Sequence, residues 1–152
     1  MRVLLQRVSR AAVRVDGRTV AEIGCGLVVF LGVERGDPPE DADEFADKTA
    51  ELRIFADDHG KMNRSVQDVG GGVLVVSQFT LAATTHRGRR PSFHRAAPPD
   101  EAEPLYRRFI DRLRGRGLNV GEGVFQAMMD IELVNAGPVT ILLDPLSTGR
   151  DR

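Results

Sequence analysis

The sequence predicts an α+β fold: a mostly antiparallel sheet carrying two main helices. Three observations predict it. The first 35 residues are short β-branched segments divided by glycine turns, residues 39–52 and 98–114 have apolar side chains at helical spacing, and residues 124–143 return to strand-like alternation. The chain has 152 residues, 41% hydrophobic and 28% charged, with a net charge of −1. A chain of this length buries roughly two-thirds of its unfolded surface, enough for one core without staples. The apolar content is too high and the net charge too low for disorder. With no repeat and no linker in view, residues 1–152 are expected to form a single domain.

Val3–Val15 is rich in β-branched residues and is expected to be the first strand. Asp16-Gly17 is the pair that a type I′ hairpin turn favours, since both central residues need positive φ. Arg18–Ile23 returns as the second strand, and Gly24-Cys25-Gly26 makes the next turn. Leu27–Val33 is apolar on both faces, so it is expected to be central and covered on both sides. Asp37 can cap a helix that opens at Pro38 and ends near Leu52. Ala42, Phe45, Ala46, Thr49 and Leu52 form its inner face. Another strand can begin at Arg53–Phe55, whereas Asn63–Val69 is ambiguous. Gly70-Gly71-Gly72 breaks the chain before an apolar strand over Val73–Leu81. Residues 82–97 are a basic loop without periodicity, and loops of that length usually carry function or are disordered. Pro98–Ala102 opens a second helix with Leu105, Phe109, Ile110 and Leu113 inside and its arginines outside. Val124–Asn135 alternates as a strand, Ala136-Gly137-Pro138 is a sharp turn, and Val139–Leu143 is the last strand. From about Ser147 the chain is expected to be a frayed tail.

The lone Cys25 excludes a disulfide scaffold and fits a reducing compartment; it is expected to be buried filler. No segment has the roughly 20 apolar residues of a membrane span, and the N-terminus lacks the apolar block of a signal peptide. A cytoplasmic protein without membrane attachment is the expectation. The near-neutral total hides segregation. Residues 34–58 hold ten acids, whereas residues 84–116 hold nine arginines against four acids. A local positive field of that kind can attract a polyanion, although compensating surface patches are the plainer reading.

His59, His86 and His94 are scattered in loops without metal-ligand spacing, so neither a metal nor a cofactor is expected. There is no nucleophile elbow and no phosphate-binding glycine loop. Two features remain. Ser77-Gln78-Phe79-Thr80 puts polar side chains at the end of an apolar strand, where freed backbone amides can bind a developing oxyanion. A strand simply meeting water gives the same pattern. Asn135-Ala136-Gly137-Pro138-Val139-Thr140 places a proline between two strands, which removes a ladder donor. An X-Pro bond is also where a cis peptide occurs, though spacing alone favours an ordinary Gly-Pro turn.

Together these motifs resemble the D-aminoacyl-tRNA deacylase family, formerly called D-tyrosyl-tRNA deacylases. The stretch Ser77–Leu81 (SQFTL), Gly88–Phe93 (GRRPSF), Ala96-Ala97-Pro98, Leu105–Phe109 and Asn135–Thr140 (N-x-GPVT) stand in the family's order along nearly the whole chain. The resemblance implies a barrel-like β structure with two helices. It implies a cofactor-free hydrolase that removes D-amino acids, and glycine mischarged on the alanine tRNA, from the terminal adenosine of tRNA. It implies a homodimer in which a cis Gly137-Pro138 peptide enters the partner's active site and rejects L-aminoacyl esters. Ser77, Gln78, Phe79 and Thr80 would then form the catalytic strand end, with amides near Phe79 and Thr80 holding the oxyanion and the ribose 2′-hydroxyl helping to activate water. Phe125, Met129 and Asn135 would form the pocket for substrate and adenine, core packing being the alternative for Met129. Arg87, Arg89, Arg90 and Arg95, with the second-helix arginines, would contact the tRNA backbone. Ala136 and Gln126 depart from the acidic residue and the glycine usual in the family, which bears on selectivity. The rival from another class is a non-catalytic RNA-binding module using the basic loop and helix.

Overall fold

The computed structural model describes residues 1–146 and 149; the expected tail from Ser147 falls otherwise outside the described residues. In chain order the elements are β1 (Arg2–Val15), β2 (Arg18–Ile23), β3 (Gly26–Gly32), α1 (Pro39–Glu51), β4 (Phe55–Ala56), β5 (Met62–Arg64), β6 (Gly72–Ser77), a 3-10 turn (Phe79–Ala82), α2 (Pro99–Gly115), β7 (Asn119–Glu122) and β8 (Asp130–Leu143). No helix is long and apolar enough to cross a membrane among the described residues.

The long strand β1 organises the sheet. One of its edges pairs first with β3 and then with β2, and its other edge pairs with β8 from Val3 to Arg14. The predicted hairpin forms, with positive φ at Asp16 and Gly17 (50° and 75°). β6 and β7 continue the order β2-β1-β3-β6-β7. The sheet is mostly antiparallel, yet β3–β6 and β6–β7 are parallel. Parallel neighbours need a crossover, and α1 and α2 supply the two. At the start of β3 the crossover is tight: a Cβ on Gly26 would lie 1.9 Å from the Gly72 carbonyl oxygen, so only glycine fits.

The sheet curls into a nearly closed, barrel-like form with two apolar cores. Leu27, Val29, Leu31, Val73 and Val75 face Phe45, Tyr106, Phe109, Ile110 and Leu113 of the helices. Val8, Ala11, Val13, Val28, Leu74 and Val76 fill the inside of the curl. β3 is therefore buried on both faces, as its continuous apolarity predicts.

Several expectations need correction. The N-cap of α1 is Pro38, one residue later than expected. The Asp37 carboxylate instead accepts the Glu34 amide (2.7 Å) and meets the Met1 ammonium (2.6 Å). Cys25 is exposed rather than buried, in the turn between β2 and β3. The strand expected to run to Leu81 stops at Ser77, and Val124–Met129 is a loop rather than strand. β8 runs unbroken through Gly137-Pro138, so no hairpin turn forms there; the peptide between these two residues is cis. β7 is a short strand that its sequence does not announce.

The charge segregation has a structural resolution. Arg108 makes two hydrogen bonds to Asp43, and Arg112 makes two to Asp47. Arg116 reaches Asp47 and Glu51, and Arg107 and Arg114 pair with Glu122. Arg108, Arg112 and Arg116 thus pair with the acidic stretch between α1 and α2, whereas Arg107 and Arg114 pair with Glu122 of β7, so the α2 arginines expected to meet RNA phosphates each carry an acidic partner. Hydrogen bonds from Arg112, and then Arg116, hold the Asp47 carboxyl below its ordinary 3.8, against the opposing effect of burial. A depressed carboxylate adds stability that is fully present above the unfolded value and is lost as pH falls through the lower folded one. Asp47→Asn should therefore lower the urea midpoint at pH 7, and the gap from the parent should narrow as pH drops below 3.8. A gap constant with pH would show that the carboxylate charge is not the cause.

Candidate active site

β6 delivers its last residues to the open end of the sheet. Ser77 and Gln78 are half-buried there. The Gln78 amide still donates to Leu31 (2.8 Å), which ends the ladder. The chain then tightens into the 3-10 turn, where Phe79 is 56% exposed. Among the described residues the Phe79 and Thr80 amides donate to no backbone acceptor. This follows from the geometry, because the first amides of any helical turn lack partners within it. The Gln78 side-chain amide donates to the Thr80 hydroxyl. No carboxylate or imidazole among the described residues hydrogen-bonds that hydroxyl.

Ser77, Gln78 and Phe79 form one wall of a cavity of about 600 Å³, and Phe125, Gln126 and Met129 form the opposite wall. The second wall lies in the loop between β7 and β8. Phe125 packs against Tyr106 (ring centroids 5.6 Å apart), whose hydroxyl donates to the Val75 carbonyl (3.2 Å). Burial pushes the Tyr106 phenol up to about 12, so it stays a neutral donor that braces this wall. Gln126 has φ +66°, the left-handed region where glycine is easiest, which gives its departure from the family's glycine a conformational cost. Met129 lines the cavity and also packs on the inner core.

Other predicted residues lie apart from this cavity. Thr80 is exposed at its edge, and Gly137 and Pro138 are exposed on β8. Asn135 does not line the cavity but donates to the carbonyls of Arg7 (3.2 Å) and Val139 (3.0 Å), tying the ends of the Gly-Pro segment to β1. There the ladder steps from Val8–Asn135 to Gln6–Thr140, leaving residues 136–139 opposite Arg7 alone. Arg7 fills the gap, donating from Nε to the Ala136 carbonyl (3.0 Å) and from Nη1 to the Ile54 carbonyl (2.6 Å). Sequence reading missed Arg7 and Tyr106. The signal for Arg7 was a charged side chain in a β-branched strand; that for Tyr106 was its place in the Leu105–Phe109 stretch of the family resemblance.

The basic loop is closed at its base by two hydrogen bonds between Thr84 and Ser92 (2.8 and 2.9 Å). Arg87, Arg89 and Arg90 are exposed at its tip, without an ion pair among the described residues. Arg95 differs, because it pairs with Glu34 (3.0 Å). Phe93 makes an edge-to-face contact with Phe79, with centroids 5.2 Å apart. Among the described residues no group of His, Cys, Asp or Glu is arranged to hold a metal.

Comparison with known proteins bears on this arrangement. The model of a family described as D-Tyr-tRNA(Tyr) deacylase matches residues 4–144. A protein of Syntrophotalea carbinolica named D-aminoacyl-tRNA deacylase is 62% identical over 144 residues, covering 95% of this chain and 97% of the relative. One of the same name from Deinococcus radiodurans is 60% identical, covering 95% and 99%. A solved structure described as c-Myc DNA Unwinding Element Binding Protein superposes with TM-score 0.89 at 38% identity, covering 95% of this chain and 98% of the other. A second, described as a probable eukaryotic D-amino acid tRNA deacylase, shares the fold with TM-score 0.80 at 20% identity, covering 93% and 97%.

Proposed function

The chain belongs to the D-Tyr-tRNA(Tyr) deacylase family of hydrolases, and from that premise we propose that it hydrolyses the ester between a D-amino acid and the terminal adenosine of tRNA. The observation that carries this reading is that Phe79, whose amide is unspent like that of Thr80 next to it in the turn, lines the same cavity as Phe125 and Met129. Water adds to the ester carbonyl carbon, and the amides stabilise the oxyanion that forms. Collapse of that intermediate breaks the carbon–oxygen bond to ribose and releases free D-amino acid and tRNA. The proton of the attacking water passes by way of the ribose 2′-hydroxyl, because Thr80 lacks the adjacent base a nucleophile needs. Gln78 fixes the Thr80 side chain and shapes the cavity. The adenine lies against Phe125 and Met129, since aromatic and thioether groups suit a nucleobase face.

Stereospecificity comes from a second copy of the chain. In a homodimer, Gly137-Pro138 of one protomer enters the other's cavity, and its main-chain carbonyls fill the space an L side chain needs. L esters are thereby excluded rather than D side chains recognised. Glycine has no side chain to exclude, so glycine mischarged on the alanine tRNA is also a substrate. Support for this arrangement is that Gly137 and Pro138 are exposed and lie outside their own chain's cavity. Arg87, Arg89 and Arg90 hold the tRNA backbone in the cytoplasm, where charged tRNA resides.

The deciding assay follows ester loss from D- and L-tyrosyl-tRNA. The expected result is turnover of the D ester only, with tRNA affinity falling as salt rises across different tRNAs, since phosphate contacts carry no base information. Binding without turnover would establish the RNA-binding module instead. Equal turnover of both enantiomers would overturn the exclusion of L esters.

A further inference from the structure

Phe93 has no role in the reading above. It is 39% exposed, stands on the loop that carries the unpaired arginines, and touches Phe79 at the cavity rim. From this placement we propose that Phe93 stacks the nucleobase immediately before the terminal adenosine, making a second nucleotide subsite outside the ester pocket. The proposal rests on the substrate assigned above and extends it to the neighbouring nucleotide.

A strand whose last nucleoside occupies the cavity must leave across its rim. Its phosphates favour the side where positive charge is uncompensated. The α2 arginines do not provide that side, because each is paired with an acid. Arg95 does not provide it either, since Glu34 holds it. Arg87, Arg89 and Arg90 have no ion pair among the described residues, and Phe93, three residues after Arg90 on the same loop, meets Phe79. A basic track beside an exposed aromatic ring is how proteins hold single-stranded nucleic acid, because every base has a π face and stacking tolerates any sequence. Unpaired bases at an RNA end are free to be taken up in this way. The loop has a fixed base, since the Thr84–Ser92 pairing closes it and Ser92 also bonds the His94 ring (3.0 Å). Phe93 sits between these two anchored residues, so its ring is presented from a held backbone.

The test compares two esters of one D-amino acid. One is D-tyrosyl-adenosine; the other is the D-tyrosyl ester of the trinucleotide CCA. The parent protein should prefer the trinucleotide in kcat/KM by about ten-fold or more, the effect of one base–aromatic stack. Phe93→Leu, which keeps an apolar contact for Phe79, should collapse that preference, and Phe93→Tyr should restore it. A separate measurement uses uncharged CCA with 2-aminopurine as its middle base. Its fluorescence should be quenched on binding the parent and Phe93→Tyr proteins, and not on binding Phe93→Leu. An equal loss on both esters, with the preference kept, would show that Phe93 acts only by supporting Phe79. A fluorescent base unquenched by the parent would overturn the subsite. If the parent hydrolyses neither ester, the assigned reaction fails, and the quenching still decides whether the base is stacked.

Discussion

Phe79→Pro is expected to slow D-tyrosyl-tRNA hydrolysis by about 10²–10³-fold relative to Phe79→Ala. Both variants remove the ring and its contact with Phe93, but only proline removes the backbone N–H. The ratio between them therefore isolates the amide. The site tolerates the change locally. Phe79 is the first residue of the 3-10 turn, a position where proline's missing donor breaks no helical bond. The preceding Gln78 is at φ −139° and ψ 79°, outside the α region that a following proline disfavours. Circular dichroism on each variant checks that the fold persists. Equal rates for the two variants would remove the Phe79 amide from the mechanism. Thr80→Ala supplies the complement: it should keep substantial activity, because among the described residues the hydroxyl has only Gln78 as a side-chain partner. A loss of about 1000-fold with the fold intact would instead make Thr80 the nucleophile.

The site divides into parts that sequence patterning reveals and parts that it does not. The polar residues after Val73–Val76 mark where β6 stops being core, so Ser77 and Gln78 stand out. Patterning does not reveal that the chain tightens at Phe79 rather than extending to Leu81. Apolar residues are compatible with strand or turn, and it is the loss of pairing after Gln78, whose amide makes the last bond to Leu31, that decides. The wall opposite is harder to read. Val124–Met129 alternates like a strand, yet the left-handed Gln126 turns it into a loop, and only the family resemblance pointed to Phe125 as pocket. Parallel pairing of β3 with β6 is also hidden, since an apolar run buried on both faces does not state its neighbours' direction. The charge pattern was legible but its meaning changed on folding. Arg108, Arg112 and Arg116 of the basic stretch are spent on acids of the acidic one, whereas Arg87, Arg89 and Arg90 at the loop tip make no ion pair among the described residues. At Gly137-Pro138 the expected turn gave way to a continuous strand, where Arg7 satisfies the Ala136 carbonyl that the interrupted ladder leaves unpaired.

That arrangement makes Gly137→Ala the sharpest test of stereospecificity. Gly137 is at φ +133°, where an L side chain is strained by about 1–3 kcal/mol. A Cβ there would lie 2.7 Å from Arg7 Nη2 and 3.0 Å from Val139 Cγ2. Arg7 cannot swing aside without giving up its bonds to Ala136 and Ile54, so the main chain of the segment must shift. If its carbonyls exclude L side chains, D-over-L discrimination should fall by about ten-fold or more, with L-tyrosyl-tRNA now cleaved. Discrimination unchanged in a folded dimer would remove the segment from selectivity. Pairing this variant with Phe79→Pro tests whose cavity the segment enters. In a mixed dimer of the two, a cross-subunit arrangement combines the intact cavity of the Gly137→Ala protomer with the intact Gly137 of its partner. One of two symmetric sites is then whole, and D-selective turnover should return to about half that of the parent. If the segment serves its own chain, neither site in the mixed dimer is whole, and no such recovery occurs.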